Sequence, residues 1–168
     1  MEKTIKFYAL PYNEVKTYWM ALIFVAGNIL LPQLCHLVPQ GGATWLPIYF
    51  FTLVGAYKYG WRVGLLTAIA SPLVNSLLFG MPAVAVLPAI LMKSTLLAIA
   101  AGLMAQRSQK VTLLSLLGVI LAYQVLGTMG EWALTGNLYL ALQDFRMGVP
   151  GMTLQLFGGY LVLNIIRD

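Results

Sequence analysis

Apolar residues fill six long stretches of this chain, separated by Gly, Pro or basic residues: Thr17–Val38, Leu46–Tyr57, Val63–Phe79, Val84–Ala105, Val111–Leu134 and Val149–Ile166. A helix needs about 20 mainly apolar residues to cross a bilayer. The pattern therefore predicts an all-α membrane protein, a compact bundle of six transmembrane helices. The second stretch is short and opens at Pro47, a residue tolerated in a first helical turn. Residues 1–168 read as one integral membrane domain, with residues 1–16 as a short cytoplasmic lead. Glu2 to Lys16 is mixed and polar, and the first apolar run begins only near Tyr18, so this lead is not expected to be a removable secretion signal.

Composition agrees with lipid as the solvent: 60% of the 168 residues are hydrophobic, 9% are charged, and the mean hydropathy is +0.83. Little length remains for a soluble catalytic domain. The net charge of +5 does not point to nucleic acid, because the basic residues sit singly at the ends of apolar runs. With the N-terminus cytoplasmic, Lys3, Lys6, Lys16, Lys58, Arg62, Arg107, Lys110 and Arg167 fall inside and only Arg146 outside. Under the positive-inside rule both termini should be cytoplasmic, in what reads as a bacterial inner membrane. Loops at residues 40–45, 80–83 and 135–148 should be external. The last carries Tyr139, Asp144 and Arg146.

Small residues four apart, as in Gly60, Gly64 and Ala68 or Gly118 and Ala122, allow close helix approach in lipid. They suit packing within one bundle or docking of another membrane protein.

Intramembrane polar residues are costly unless they are paired or face a cavity, so their depth is informative. Gln33, His36, Asn75, Ser76, Lys93, Glu131 and Gln155 all fall in the outer third to half of their spans. That is what a pocket open to the outside requires. Pro32, Pro72 and Pro88 each remove a backbone donor, and a kink at Pro72 would aim Asn75 inward. Trp45, Tyr49, Trp132 and Tyr139 ring the same rim, either as an interfacial belt or as stacking surfaces for a ligand. Lys93 and Glu131 are expected either to pair with each other or to contact a polar ligand, and the two readings are compatible. The substrate-binding set is thus Gln33, His36, Trp45, Tyr49, Asn75, Ser76, Lys93, Glu131, Trp132 and Gln155.

One cysteine excludes an internal disulfide, and one histidine cannot build a multidentate metal site. Cys35 and His36 remain weak candidates for axial ligation of a corrinoid or haem. No intrinsic cofactor is expected. No Walker A, HExxH or GxSxG sequence is present, so catalysis is not the expected role.

Two segments carry a family resemblance: Leu46-Pro47 through Tyr59-Gly60-Trp61-Arg62-Val63-Gly64-Leu65, then Ser71-Pro72-Leu73-Val74-Asn75-Ser76-Leu77-Leu78-Phe79-Gly80-Met81-Pro82. Over residues 46–105 the chain resembles the substrate-binding S components of energy-coupling factor (ECF) vitamin importers. Leu87-Pro88 to Ala101-Gly102-Leu103 and Gly148-Val149-Pro150-Gly151-Met152-Thr153-Leu154-Gln155-Leu156 look similar as well.

The resemblance implies a six-helix subunit that binds one micronutrient in its outer half and reorients while docked to a transmembrane coupling subunit powered by two ATPases. It places Asn75, Ser76, the Lys93 position and the loop after the first helix at the ligand. Two departures stand out. Lys93 replaces an acidic residue common in the family, which points to an anionic ligand group. The family's alanines four apart are imperfect in the first helix, where Val25 follows Ala21, and this leaves solitary operation open. The ligand could be a pyridoxine- or thiamine-related ring, a pteridine, a deazapurine, pantothenate or a corrinoid. The competing readings are a scaffold or assembly subunit without ligand and an intramembrane enzyme using Glu131 with Cys35 or His36.

Overall fold

The computed structural model describes residues 7–166, and every regular element among them is helical. In chain order these are α1 (Val15–Cys35), the short α2 (Gly41–Trp45), a 3-10 turn at Pro47–Tyr49, α3 (Phe50–Tyr59), α4 (Trp61–Phe79), α5 (Leu87–Ser108) and α6 (Leu113–Thr135). The short α7 (Leu138–Ala141), α8 (Gln143–Met147) and α9 (Val149–Thr153) follow, then a π-helical turn at Leu154–Gly158 and α10 (Gly159–Ile165). Helices α1, α4, α5 and α6 are long and apolar enough to cross a membrane.

The other two apolar stretches are interrupted. A residue before proline is disfavoured in the right-handed helical region, so the helix breaks at Leu46, which adopts a left-handed φ of 45°; Pro47 opens the 3-10 turn, and regular helix resumes only at Phe50. The stretch predicted from Val84 starts as helix at Leu87, with Pro88 in its first turn. Helix α6 starts where Thr112 and Ser115 form a reciprocal capping box.

Polar and apolar residues are arranged inside out relative to a protein in water. Leu22, Ile23, Leu30 and Leu34 of α1 and Leu114, Leu121, Leu126 and Met129 of α6 are exposed, whereas Asn28, Thr52, Thr67, Ser71, Asn75, Ser94, Gln124 and Gln155 are buried. Such apolar faces call for a lipid or protein partner.

Helix α4 packs most extensively on α5, α3 and α1, and α5 also packs on α6 and α3. The small residues identified in the sequence serve this contact. A Cβ on Gly64 would lie 2.4 Å from Ala56 Cβ and 3.1 Å from Ala98 Cβ, and one on Gly102 would meet the Trp61 backbone at 2.5 Å. The Gly118 position is looser, with only Met104 Cε at 3.7 Å.

Asn28 is the polar centre of the α1–α3–α4 junction. Its amide donates to Thr52 Oγ1 (3.0 Å) and Ser71 Oγ (3.2 Å), and its side-chain oxygen accepts from the Phe51 N–H (3.1 Å) at the start of α3. At the opposite end of α3, Tyr8 and Leu10 donate backbone bonds to the Lys58 and Tyr59 carbonyls, beside the Gly60 turn at φ +97°. Lys16, Lys58, Arg62, Arg107 and Lys110 gather at this end. Lys3, Lys6 and Arg167, which also entered the orientation argument, lie outside the described residues.

Candidate binding cavity

The ends of α1, α5 and α6 remote from that basic end, together with the neighbouring loops and short helices, line a cavity of about 310 Å³, the lower end of the range for small-molecule sites. Pro32 and His36 of α1, Gly42 and Ala43 of α2, and the Leu46–Tyr49 turn form one side. Met81, Pro82 and Ala83 form the rim, and Val86, Ala89, Ile90 and Lys93 form the α5 wall. Glu131 from α6 and Gln143 and Asp144 from α8 close the remainder.

The charged group is a triad. Lys93 is 3% exposed and pairs with both Glu131 and Asp144, whose nearer oxygen lies 2.9 Å from Nζ. At about 1.5 Å rise per residue, Lys93 sits about 9 Å into α5 and Glu131 about 6 Å from the end of α6. The lysine stem reaches its partners across Gly127, where a Cβ would stand 2.5 Å from Lys93 Cγ. One ammonium against two carboxylates leaves one negative charge uncompensated. The expected pairing of Lys93 with Glu131 is present, and Asp144 joins it as a second acidic partner of the ammonium. Arg146, two residues beyond Asp144 in α8, makes no ion pair with the triad among the described residues; its guanidinium stacks 3.6 Å from the Tyr139 ring centre and donates to the Tyr139 carbonyl.

His36 turns Nδ1 toward the Pro32 carbonyl at 2.7 Å, so that nitrogen is the donor of this bond. Gly42 leaves room for the other edge of the ring; a Cβ there would lie 2.8 Å from Nε2. Tyr49 is 3% exposed and lines the cavity. Its ring centre is 5.5 Å from that of Tyr123, whose hydroxyl donates to Gln155 Oε1 (2.9 Å) and accepts from Gln124 Nε2 (3.0 Å). The π-helical turn carries Gln155; such turns recur at functional sites. Around this layer, Ser94 Oγ, Gln124 Oε1, Thr128 Oγ1 and Gln155 Nε2 are buried with no hydrogen-bond partner among the described residues.

Of the ten residues expected at a ligand, His36, Tyr49, Lys93 and Glu131 line one cavity. Gln155 lies beneath it in the tyrosine–amide layer. Asn75 is buried and inward, yet its amide is spent on the Asn28 and Ser71 carbonyls, tying α4 to α1. Gln33 and Ser76 are half-buried outside the lining, and Trp45 and Trp132 are 39% and 49% exposed. Cys35 is a half-buried free thiol, also outside the lining. No group of three His, Cys, Asp or Glu able to hold a metal occurs among the described residues.

Asp144 and Gln143 were not among the expected residues. The signal for Asp144 was present: it and Glu131 are the only acidic residues between positions 15 and 167. Compared with protein-family models, with curated proteins and with solved structures, the chain matches none.

Proposed function

We propose that this chain is the substrate-binding membrane subunit of an importer for a small organic micronutrient, working as the S component of an ECF transporter does. In this reading all six apolar stretches cross a bacterial cytoplasmic membrane, with both termini and the basic end inside and the cavity outside. A transmembrane coupling subunit with two ATPases drives uptake, and no catalytic step is involved. The observation that carries the reading is the cavity itself, which combines apolar walls with the buried Lys93–Glu131–Asp144 triad. Its volume of about 310 Å³ suits a molecule of one or two rings better than a corrinoid.

One observation favours a second reading, an assembly subunit without ligand: the triad by itself joins α5, α6 and α8. Titration of nanodisc-embedded protein with a micronutrient panel, followed by native mass spectrometry, separates the two. The transport reading expects one molecule bound per chain, with binding lost in Ala43→Trp, which fills the cavity from its α2 side, and retained in Asn75→Ala. Absence of saturable binding across the panel refutes it in favour of the assembly role.

A further inference from the structure

Resting on the binding role above, we propose that the cavity selects a small aromatic or heterocyclic molecule bearing a protonated amine, with the cation seated against Glu131 and Asp144. The charge count is the first argument. By formal charge one Lys93 ammonium faces two carboxylates, and both are mostly buried, the Glu131 and Asp144 side chains being 16% and 13% exposed. An uncompensated buried charge is costly, and an arriving cation relieves that cost. An anion would have to break a lysine–carboxylate pair and leave both acids facing it.

The hydrogen-bond inventory points the same way. One oxygen of each carboxylate binds Lys93, and the second has no partner among the described residues. These unspent acceptors match the several N–H groups of an ammonium. Tyr49 also lines the cavity, and its hydroxyl makes no hydrogen bond to another described residue, so it is available to an occupant. Pro32, Pro47, Ile48, Val86 and Ile90 supply apolar walls for a flat ring.

Three probes that share one ring test the selection: 3-(aminomethyl)pyridine, nicotinamide and nicotinate, titrated into nanodisc-embedded protein at neutral pH. The amine should bind about tenfold more tightly than the carboxylate, a difference of about 1.4 kcal/mol. Asp144→Asn, which keeps the Lys93–Glu131 pair, should erase most of that preference, read as the ratio of the amine affinity to the carboxylate affinity. Glu131→Gln should do the same. Preferential binding of nicotinate, or an amine affinity indifferent to both substitutions, overturns the proposal while leaving a binding subunit standing. If neither the probes nor any member of the micronutrient panel binds, the binding role falls with it.

Discussion

Lys93 is held inside the protein by three separate provisions. Gly127 gives its stem a path, Glu131 meets it from α6, and Asp144 meets it from the outer loop. Removing one member of a buried ion cluster strands the rest, which costs about 3–5 kcal/mol, whereas replacing all members by neutral groups is often close to neutral. Lys93→Met should therefore destabilise the protein markedly, and the triple variant Lys93→Met/Glu131→Gln/Asp144→Asn should recover most of the loss. Thermal unfolding in one detergent measures both; a triple variant less stable than the single one would contradict the stranded-charge account. Gly127→Ala adds a methyl where only 2.5 Å separates it from Lys93 Cγ. Overpacking of this kind costs about 1–3 kcal/mol, and a denaturation midpoint equal to that of the parent would show that the stem has another route.

At the level of elements, the most informative contact is the seating of the Leu46 turn against α8 and α9. A Cβ on Gly148 would approach Leu46 Cδ1 to 2.7 Å, and one on Gly151 would lie 2.5 Å from the Trp45 carbonyl. The glycines of the Gly148–Gly151 run thus let a turn with a strained leucine form the cavity wall. Gly151→Ala should push that wall outward, weakening ligand binding at least about tenfold while leaving the helical content of the circular dichroism spectrum unchanged. Asn28→Ala tests the opposite side of the bundle. It removes three side-chain hydrogen bonds, and at about 0.6 kcal/mol per such bond in a membrane protein the loss should be about 2 kcal/mol, read as a lower unfolding temperature.

The helical character and the four long apolar helices were legible in the sequence, since a run of about 20 apolar residues reports directly on length and solvent. The fate of the weaker stretches was not. Hydropathy does not register the left-handed bend at Leu46 or the π-helical turn at Leu154–Gly158. Depth along a span brought His36, Tyr49, Lys93 and Glu131 to one level but could not tell which face of a helix a polar residue presents. Asn75 therefore looked equivalent to Lys93, although one ties α4 to α1 and the other lines the cavity. Asp144 escaped because loop residues have no depth until α8 folds back over the bundle.

For the whole molecule, the separation of the basic end from the cavity makes orientation testable. In a Cys35→Ser background, a cysteine placed at Asn137 in the α6–α7 turn should react with an impermeant thiol reagent added to intact cells, and one at Gln109 in the α5–α6 turn only after permeabilisation. The reverse pattern would put the cavity on the cytoplasmic side and remove the route for uptake. The pairing of Tyr8 and Leu10 with the last carbonyls of α3 has a practical corollary for trimming the chain. A protein begun at Pro11 would strip both donors from Lys58 and Tyr59 and unclasp the bend at Gly60. Shortening the leader, ordinarily a harmless convenience, would here loosen the hinge on which α3 and α4 fold together.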